Sequence, residues 1–409
     1  MVPSPTELLV AFQKTLPEAV FLSLVDLIKK EEKDRVDSYF NDLLVDNDKC
    51  GFKSVERVDL EGKKTISHAL FSKKKIEAGE KILVETPILS SMISTYNPLE
   101  YCEFCQKKIN EIETAIDCEK CSFARYCSNE CQASAARYHE YLCPSDKTDA
   151  EALIDHPFCR LLNLSKSTNN FSSILIAKYL ALLLAEEIKG RIEGSNPFIH
   201  FEHLKSVKYP ADETDARELL LMRLLFGSYN AGMLEFLTLD RYSSLKSTIK
   251  YNIFGFQIRD SIKQSAEVEK EEIIESSYSE KIETQSIDTS SDTDTVHVER
   301  KTTITESVEV RVEVFRSSFS RSEISSIGLY HLLSHVSHSC DPNSELSCLV
   351  ENHKLSLIAK RDIPENNEIT VAFAPLNGKS SFERQTSLAK DFQMICQCDL
   401  CEAEVTAKE

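Results

Sequence analysis

The chain has 409 residues, 42% of them hydrophobic and 28% charged, enough for a substantial core in two or three lobes. Its net charge of -18 argues against a protein that grips nucleic acid through a broad basic face, and favours basic partners. Fourteen cysteines stand in clusters, which in a reducing compartment read as metal ligands and not as disulfides.

Met1–Val10 lacks the basic start and apolar core of a secretion signal, so the chain is expected in the cytoplasm, the nucleus or both. Ser4–Val45 reads as helix. Ser4-Pro5-Thr6-Glu7 has the chemistry of a helix start, and Leu8, Leu9, Phe12, Ala19, Val20, Leu24, Leu27 and Ile28 form an apolar stripe. From Phe52 to Ile93 short strands are expected, with Ala69-Leu70-Phe71 and Ile82-Leu83-Val84 flanking a turn at Glu77-Ala78-Gly79-Glu80.

Cys102, Cys105, Cys118, Cys121, Cys127, Cys131, His139 and Cys143 follow in one short stretch. Eight such groups cannot be a hydrophobic core, but they can hold two zinc ions. Ser128–Tyr141 has helical spacing, with Cys131, Ala135, Tyr138 and His139 near one face. Glu151–Ile258 reads as helical. Its run Ile174–Leu184 is too short for a membrane span and carries Lys178, so it is expected as a buried helix. Thr214–Phe226 is apolar enough to be packed throughout. Asn252-Ile253-Phe254-Gly255-Phe256 then turns strand-like.

Lys263–Arg316 is rich in Ser, Thr and Glu and reads as a flexible acidic insertion. Thr302–Phe315 alternates and could pair as a ribbon. Beyond it, Leu346–Val350 and Leu355–Ala359 are expected as a hairpin, after the bend His338-Ser339-Cys340-Asp341-Pro342-Asn343. The tail offers Cys396, Cys398 and Cys401. Zinc needs four ligands, and Cys340 is the best fourth, which would tie the tail over the bend. Cys50, Cys159 and Cys348 remain as ordinary thiols.

Together these residues resemble the SET and MYND domain family of protein-lysine methyltransferases, over roughly Phe52 to Cys401. The resemblance implies an α+β fold. A SET domain of small curved sheets with a pseudoknot is interrupted by a MYND finger and a helical segment, and closed by a post-SET zinc module. The expected order is an N-terminal helical segment (1–50), the first part of the SET domain (52–101), the MYND finger (102–143) and the helical intermediate segment (150–262). The acidic insertion (263–318), the core SET domain (319–375) and the post-SET module and tail (376–409) follow. The C-terminal helical repeat domain of larger members is expected to be absent. By the same resemblance Cys102, Cys105, Cys127 and Cys131 hold one zinc. Cys118, Cys121, His139 and Cys143 hold the second, and Cys340 with the three tail cysteines the third.

The implied activity is methyl transfer from S-adenosyl-L-methionine to a protein lysine. The implied cofactor-binding positions are His68, Asn252, Ser337, His338 and Phe392, and the catalytic tyrosine position is Phe373. Several of these depart from the family pattern. Ile66-Ser67-His68-Ala69-Leu70 stands where a Gly-x-Gly is usual, Ser337 where an Asn is, and Phe373 lacks a hydroxyl. Two readings follow: a divergent methyltransferase in which Tyr330 or water supplies the hydroxyl, or a catalytically impaired scaffold for protein interaction. Either is expected to be a monomer whose partner is a protein, such as a basic or proline-rich peptide, with no direct nucleic-acid or membrane binding.

Overall fold

The computed structural model describes residues 18–58, 64–93, 98–109, 115–121, 123–145, 155–190, 201–207, 212–256, 314–316, 325–348 and 352–406, with 60, 62 and 209. The expected helix start at Ser4 and nearly all of the acidic insertion lie outside these residues. Helix α1 (Glu18–Leu43) opens the described chain. Leu27, assigned to an apolar stripe, is 52% exposed; the end that packs carries Phe40 and runs on to Leu44, both buried.

Strands β1 (Cys50–Val58) and β2 (Lys64–Ser72) form a nine-residue antiparallel ladder from Cys50↔Ser72 to Val58↔Lys64. Strand β3 (Lys81–Glu85) follows the expected turn, but it does not pair with β2. Gly79 takes a left-handed conformation, and its N–H donates to the Ala359 carbonyl, handing the chain to a different sheet. Strand β4 (Leu89–Met92) then leads into the cysteine-rich segment. That segment holds a short hairpin, β5 (Ile116–Asp117) with β6 (Arg125–Tyr126), and helix α2 (Asn129–Leu142). Ser128 caps α2 by accepting from the Cys131 N–H, so the cap and a ligand share one turn.

The helical segment comprises α3 (Pro157–Thr168), α4 (Ser172–Lys189), α5 (Asp215–Phe226), α6 (Ala231–Phe236) and α7 (Leu239–Asn252). Helix α4 is buried almost all round, as its composition requires. Lys178 within it is held by the Ser90 carbonyl and Glu103. Helix α5 is not packed throughout: Leu220 and Leu224, one turn apart, are both more than half exposed, because only one of its faces meets the other helices. No helix among the described residues is long and apolar enough to cross a membrane.

Strand β7 (Ile253–Phe256) continues directly from α7 and pairs with β8 (Phe315–Arg316) and β9 (Ser326–Leu329), giving a four-stranded sheet ordered β4-β9-β7-β8. Strand β10 (Ser337–His338) enters the bend. The expected hairpin forms as β11 (Ser344–Cys348) and β12 (Leu355–Ala359), and β3 joins its far side. Strand β13 (Thr370–Val371) returns parallel to β10. Helices α8 (Ser381–Phe392) and α9 (Asp399–Thr406) close the chain, α8 with a reciprocal Ser380–Glu383 capping box.

The segment around β13 is threaded. Ile369 donates to the Leu70 carbonyl on one side. On the other, the Asn343 side chain donates to the Glu368 carbonyl and accepts from the Thr370 N–H, at 2.8 and 2.9 Å. Ser339 donates to Val371 beside it. The chain thus passes between β2 and its own bend, which is the expected pseudoknot. Two cores result: one joins the cysteine-rich segment to α3–α7, the other joins the small sheets to the tail.

Candidate functional site

The twelve candidate metal ligands fall into three groups of four. Cys102, Cys105, Cys127 and Cys131 form one, Cys118, Cys121, His139 and Cys143 the second, and Cys340, Cys396, Cys398 and Cys401 the third. Within each group all ligand atoms lie within 4.8 Å of one another. Tetrahedral zinc with sulfur at its usual distance requires thiolates about 3.8 Å apart. The observed separations bracket that edge: 3.5 Å for Cys105–Cys127, 4.0 Å for Cys118–Cys143, and 3.9 and 3.6 Å from Cys340 to Cys396 and Cys401. They are far too long for disulfides. Two of the donor sets are all cysteine and one is three cysteines with a histidine, and all three fit zinc.

The third group is also braced from outside. His338 Nδ1 accepts from the Phe373 N–H at 3.1 Å, which leaves the ring proton on Nε2, 3.5 Å from the Cys340 sulfur. The Arg384 guanidinium donates to the Cys401 sulfur and pairs with Glu404. Such outer partners orient ligands and offset thiolate charge. Burial holds His338 neutral, with its pKa lowered to about 4.

His338 also links this centre to a chamber beside it. Its ring packs on Phe373 at 5.2 Å, and Phe373 packs on Phe392 at 5.2 Å. Tyr251 stands edge-on to Phe392. The chamber holds the guanidinium of Arg316, which lies 4.6 Å from the Phe373 ring, 4.7 Å from Tyr251 and 5.6 Å from Phe254. Its nitrogens donate to the carbonyls of Tyr251 and Ser334 and to Asn252 Oδ1. Asn252 is fully buried, and its amide donates to the Lys205 and Thr248 carbonyls, so both ends of that side chain are engaged.

Four of the six implied methyl-transfer positions therefore meet: Asn252, His338, Phe373 and Phe392. The other two do not enter this group. Ser337 hydrogen-bonds Arg57 and Glu368 on the outer side of the threaded strand. His68 bonds Asp37 of α1 at 2.6 Å and stacks on Phe40 at 4.3 Å. Tyr330 gives its hydroxyl to the His353 carbonyl. Sequence reasoning passes over Tyr251, Phe254 and Arg316. The first two sit on the α7–β7 junction next to Asn252, and their neighbourhood to it is a usable signal. Nothing local marks Arg316, which lies 64 residues on.

The carboxylate of Glu85 fixes the approach to the bend by accepting from the His331, Leu332 and Leu333 N–H groups at 2.7–2.9 Å. Complete burial pushes its pKa up to about 7, against the lowering effect of those three donors.

The family model of the SET domain matches residues 211–374, and that of the MYND finger residues 102–143. The chain is a SET and MYND domain protein. The protein-lysine N-trimethyltransferase SMYD5 of Danio rerio is 24% identical over 399 residues, covering 83% of this chain and 86% of the relative. The Homo sapiens protein of the same name is 23% identical over 386 residues, covering 82% and 84%. A SET and MYND domain-containing protein of Dictyostelium discoideum is 22% identical over 389 residues, covering 91% and 94%. The cysteine-rich segment is thus the MYND finger, and the tail centre stands as the post-SET zinc module. SET methyltransferases use S-adenosylmethionine. In this SET and MYND domain protein, Arg316 lies against the Phe373 ring and takes the Oδ1 acceptor of Asn252, so a cationic group entering there would compete with Arg316 for the same ring and the same acceptor.

Proposed function

We propose that the chain is an S-adenosylmethionine-dependent protein-lysine N-methyltransferase. The observation that carries this reading is the chamber beside the threaded bend, where aromatic faces and oxygen acceptors converge on one cation. The cofactor supplies its methyl from a sulfonium, and the product is an alkylammonium; aromatic faces attract both. A dry, ring-lined wall also disfavours the charged form of an incoming amine, which must be neutral to attack. The activity named for the relatives supports the same reading. The MYND finger supplies a surface for a protein partner, for which a basic or proline-rich peptide suits the acidic chain. A reducing cytoplasm or nucleus keeps the cysteine ligands available to zinc.

The second reading is a catalytically impaired scaffold. Phe373 has no hydroxyl, Tyr330 has its own committed elsewhere, and His68 is tied to α1. Transfer of labelled methyl from S-adenosylmethionine to a panel of lysine peptides by the zinc-loaded chain decides between them. Lysine-dependent label supports the enzyme. No label from the chain or from its Arg316→Ala variant leaves the scaffold.

A further inference from the structure

Arg316 is the largest fully buried side chain of the described residues, with 2% exposure. Among those residues no carboxylate pairs with it; its partners are two carbonyls, one amide oxygen and three rings. Burying a charge without a counter-ion is costly, and an apolar residue of similar volume would serve a core better. Arg384 shows the contrast: its guanidinium meets the Glu404 carboxylate and the Cys401 sulfur. Burial accordingly lowers the pKa of Arg316, although a guanidinium stays protonated.

The backbone around Arg316 is as telling as its side chain. Among the described residues, strand β8 comprises Phe315 and Arg316 and lies at the edge of its sheet, paired as Phe254↔Arg316 and Gly255↔Phe315. Arg316 adds one further bond, from its N–H to the Phe373 carbonyl. A short extended segment laid on a sheet edge, with one side chain in a pocket, is how extended peptides dock by strand addition. Here the docked segment belongs to the chain itself, and the side chain it inserts is a cation.

We propose that Arg316 is a built-in occupant of the chamber, holding the place of the cationic guest and closing the site until it leaves. This inference rests on the methyltransferase reading only for the nature of that guest, an alkylated or protonatable onium group. Two sources share this chemistry: the sulfonium of S-adenosylmethionine, and the lysine side chain of a docked peptide. Release requires parting the Phe254–Arg316 and Gly255–Phe315 pairs, the backbone bond to Phe373 and the three side-chain hydrogen bonds of Arg316.

The test uses the full zinc-loaded chain and the variants Arg316→Ala, Arg316→Met and Arg316→Lys. Each is titrated calorimetrically with S-adenosylmethionine, and separately with a synthetic peptide of residues 312–320 carrying Arg316→Lys. Arg316→Ala is expected to bind at least one probe about tenfold more tightly than the unmodified chain, while Arg316→Lys stays closed. A gain for the first probe identifies the guest as the cofactor, and a gain for the second as a peptide lysine. If Arg316→Ala does not fold, Arg316→Met, which keeps volume without charge, is read in its place. A folded variant with no gain for either probe overturns the proposal. So does failure of both variants to fold, which makes Arg316 a structural clamp, or tight cofactor binding by the unmodified chain. Binding gained without methyl transfer would overturn the enzyme reading while the occupant stands.

Discussion

The zinc centres and the chamber are built in opposite ways. Both MYND centres draw their ligands from the single stretch Cys102 to Cys143, on a leading turn, a hairpin and one capped helix. The chamber draws Tyr251, Phe254, Arg316, His338, Phe373 and Phe392 from α7, β7, β8, β10, the loop after β13 and α8. The centres keep every ligand of their pattern. The chamber presents the Phe373 ring where the family resemblance implies a tyrosine, and it holds a resident cation. Metal ligation tolerates no substitution because each donor is a bond, whereas an aromatic box keeps most of its attraction when one wall changes. The post-SET centre joins the two regimes, since His338 faces both its Cys340 ligand and Phe373.

The largest effect is expected at the metal. Cys121→Ser or Cys340→Ser should each lower bound zinc from three ions per chain to two, the number following from the three ligand groups. A structural zinc contributes on the order of 10 kcal/mol to a small folded unit, so the affected core should lose its cooperative melting. Elemental analysis that still finds three ions in either variant would break the comparison on the metal side.

Next comes the missing hydroxyl. In the Arg316→Ala background, Phe373→Tyr should raise methyl transfer by about a hundredfold, the usual value of one oriented donor at a reacting centre. The ring already fits, between His338 and Phe392. An unchanged rate would place Phe373 outside the chemistry and strengthen the scaffold reading.

A smaller effect is expected at Glu85, which holds the backbone leading to the bend. Its pKa is about 7 in the folded chain, above the ordinary carboxylate value of 4.5. The folded state therefore binds this proton more tightly than the unfolded state. The resulting stability is fully present below about pH 4.5 and lost as pH rises through about 7, with no further change above. Glu85→Gln mimics the neutral form and should flatten this part of the profile. Thermal melting of both proteins from about pH 5.5 to 8 isolates it, since the zinc centres are common to the two. Parallel curves would mean that the three N–H donors hold the carboxylate charged.

Much of this is readable in the chain before folding is considered. The MYND ligands, the hairpin at 344–359 and the bend at His338 follow from spacing and turn chemistry, which are local. The partner of β3 is not readable, because a left-handed Gly79 can reverse a chain or redirect it with the same residues. The exposed Leu220 and Leu224 escape for a related reason: helical apolarity predicts burial only when something covers every face. Arg316 is hidden because its meaning lies wholly in distant partners. Read alone, it is one more charge at the edge of an acidic tract.

The smallest effect is expected at the three thiols outside the clusters. Cys50, Cys159 and Cys348 are all buried. Burial pushes the thiols of Cys50 and Cys348 up to about 12, so neither offers a thiolate at neutral pH. Cys348 donates weakly to the Asn352 carbonyl, and no group of metal-ligating side chains gathers around any of the three within the described residues. Replacing all three by Ala removes one sulfur from each of three packed positions, at about 1 kcal/mol apiece if the cavities persist. Zinc content should stay at the value of the unmodified chain, and thiol-directed alkylation of the native protein should be unchanged by the replacements. Loss of even one ion would mean that a centre borrows a ligand from outside its group, and the contrast between closed metal sites and an adaptable chamber would fail at its firmer end.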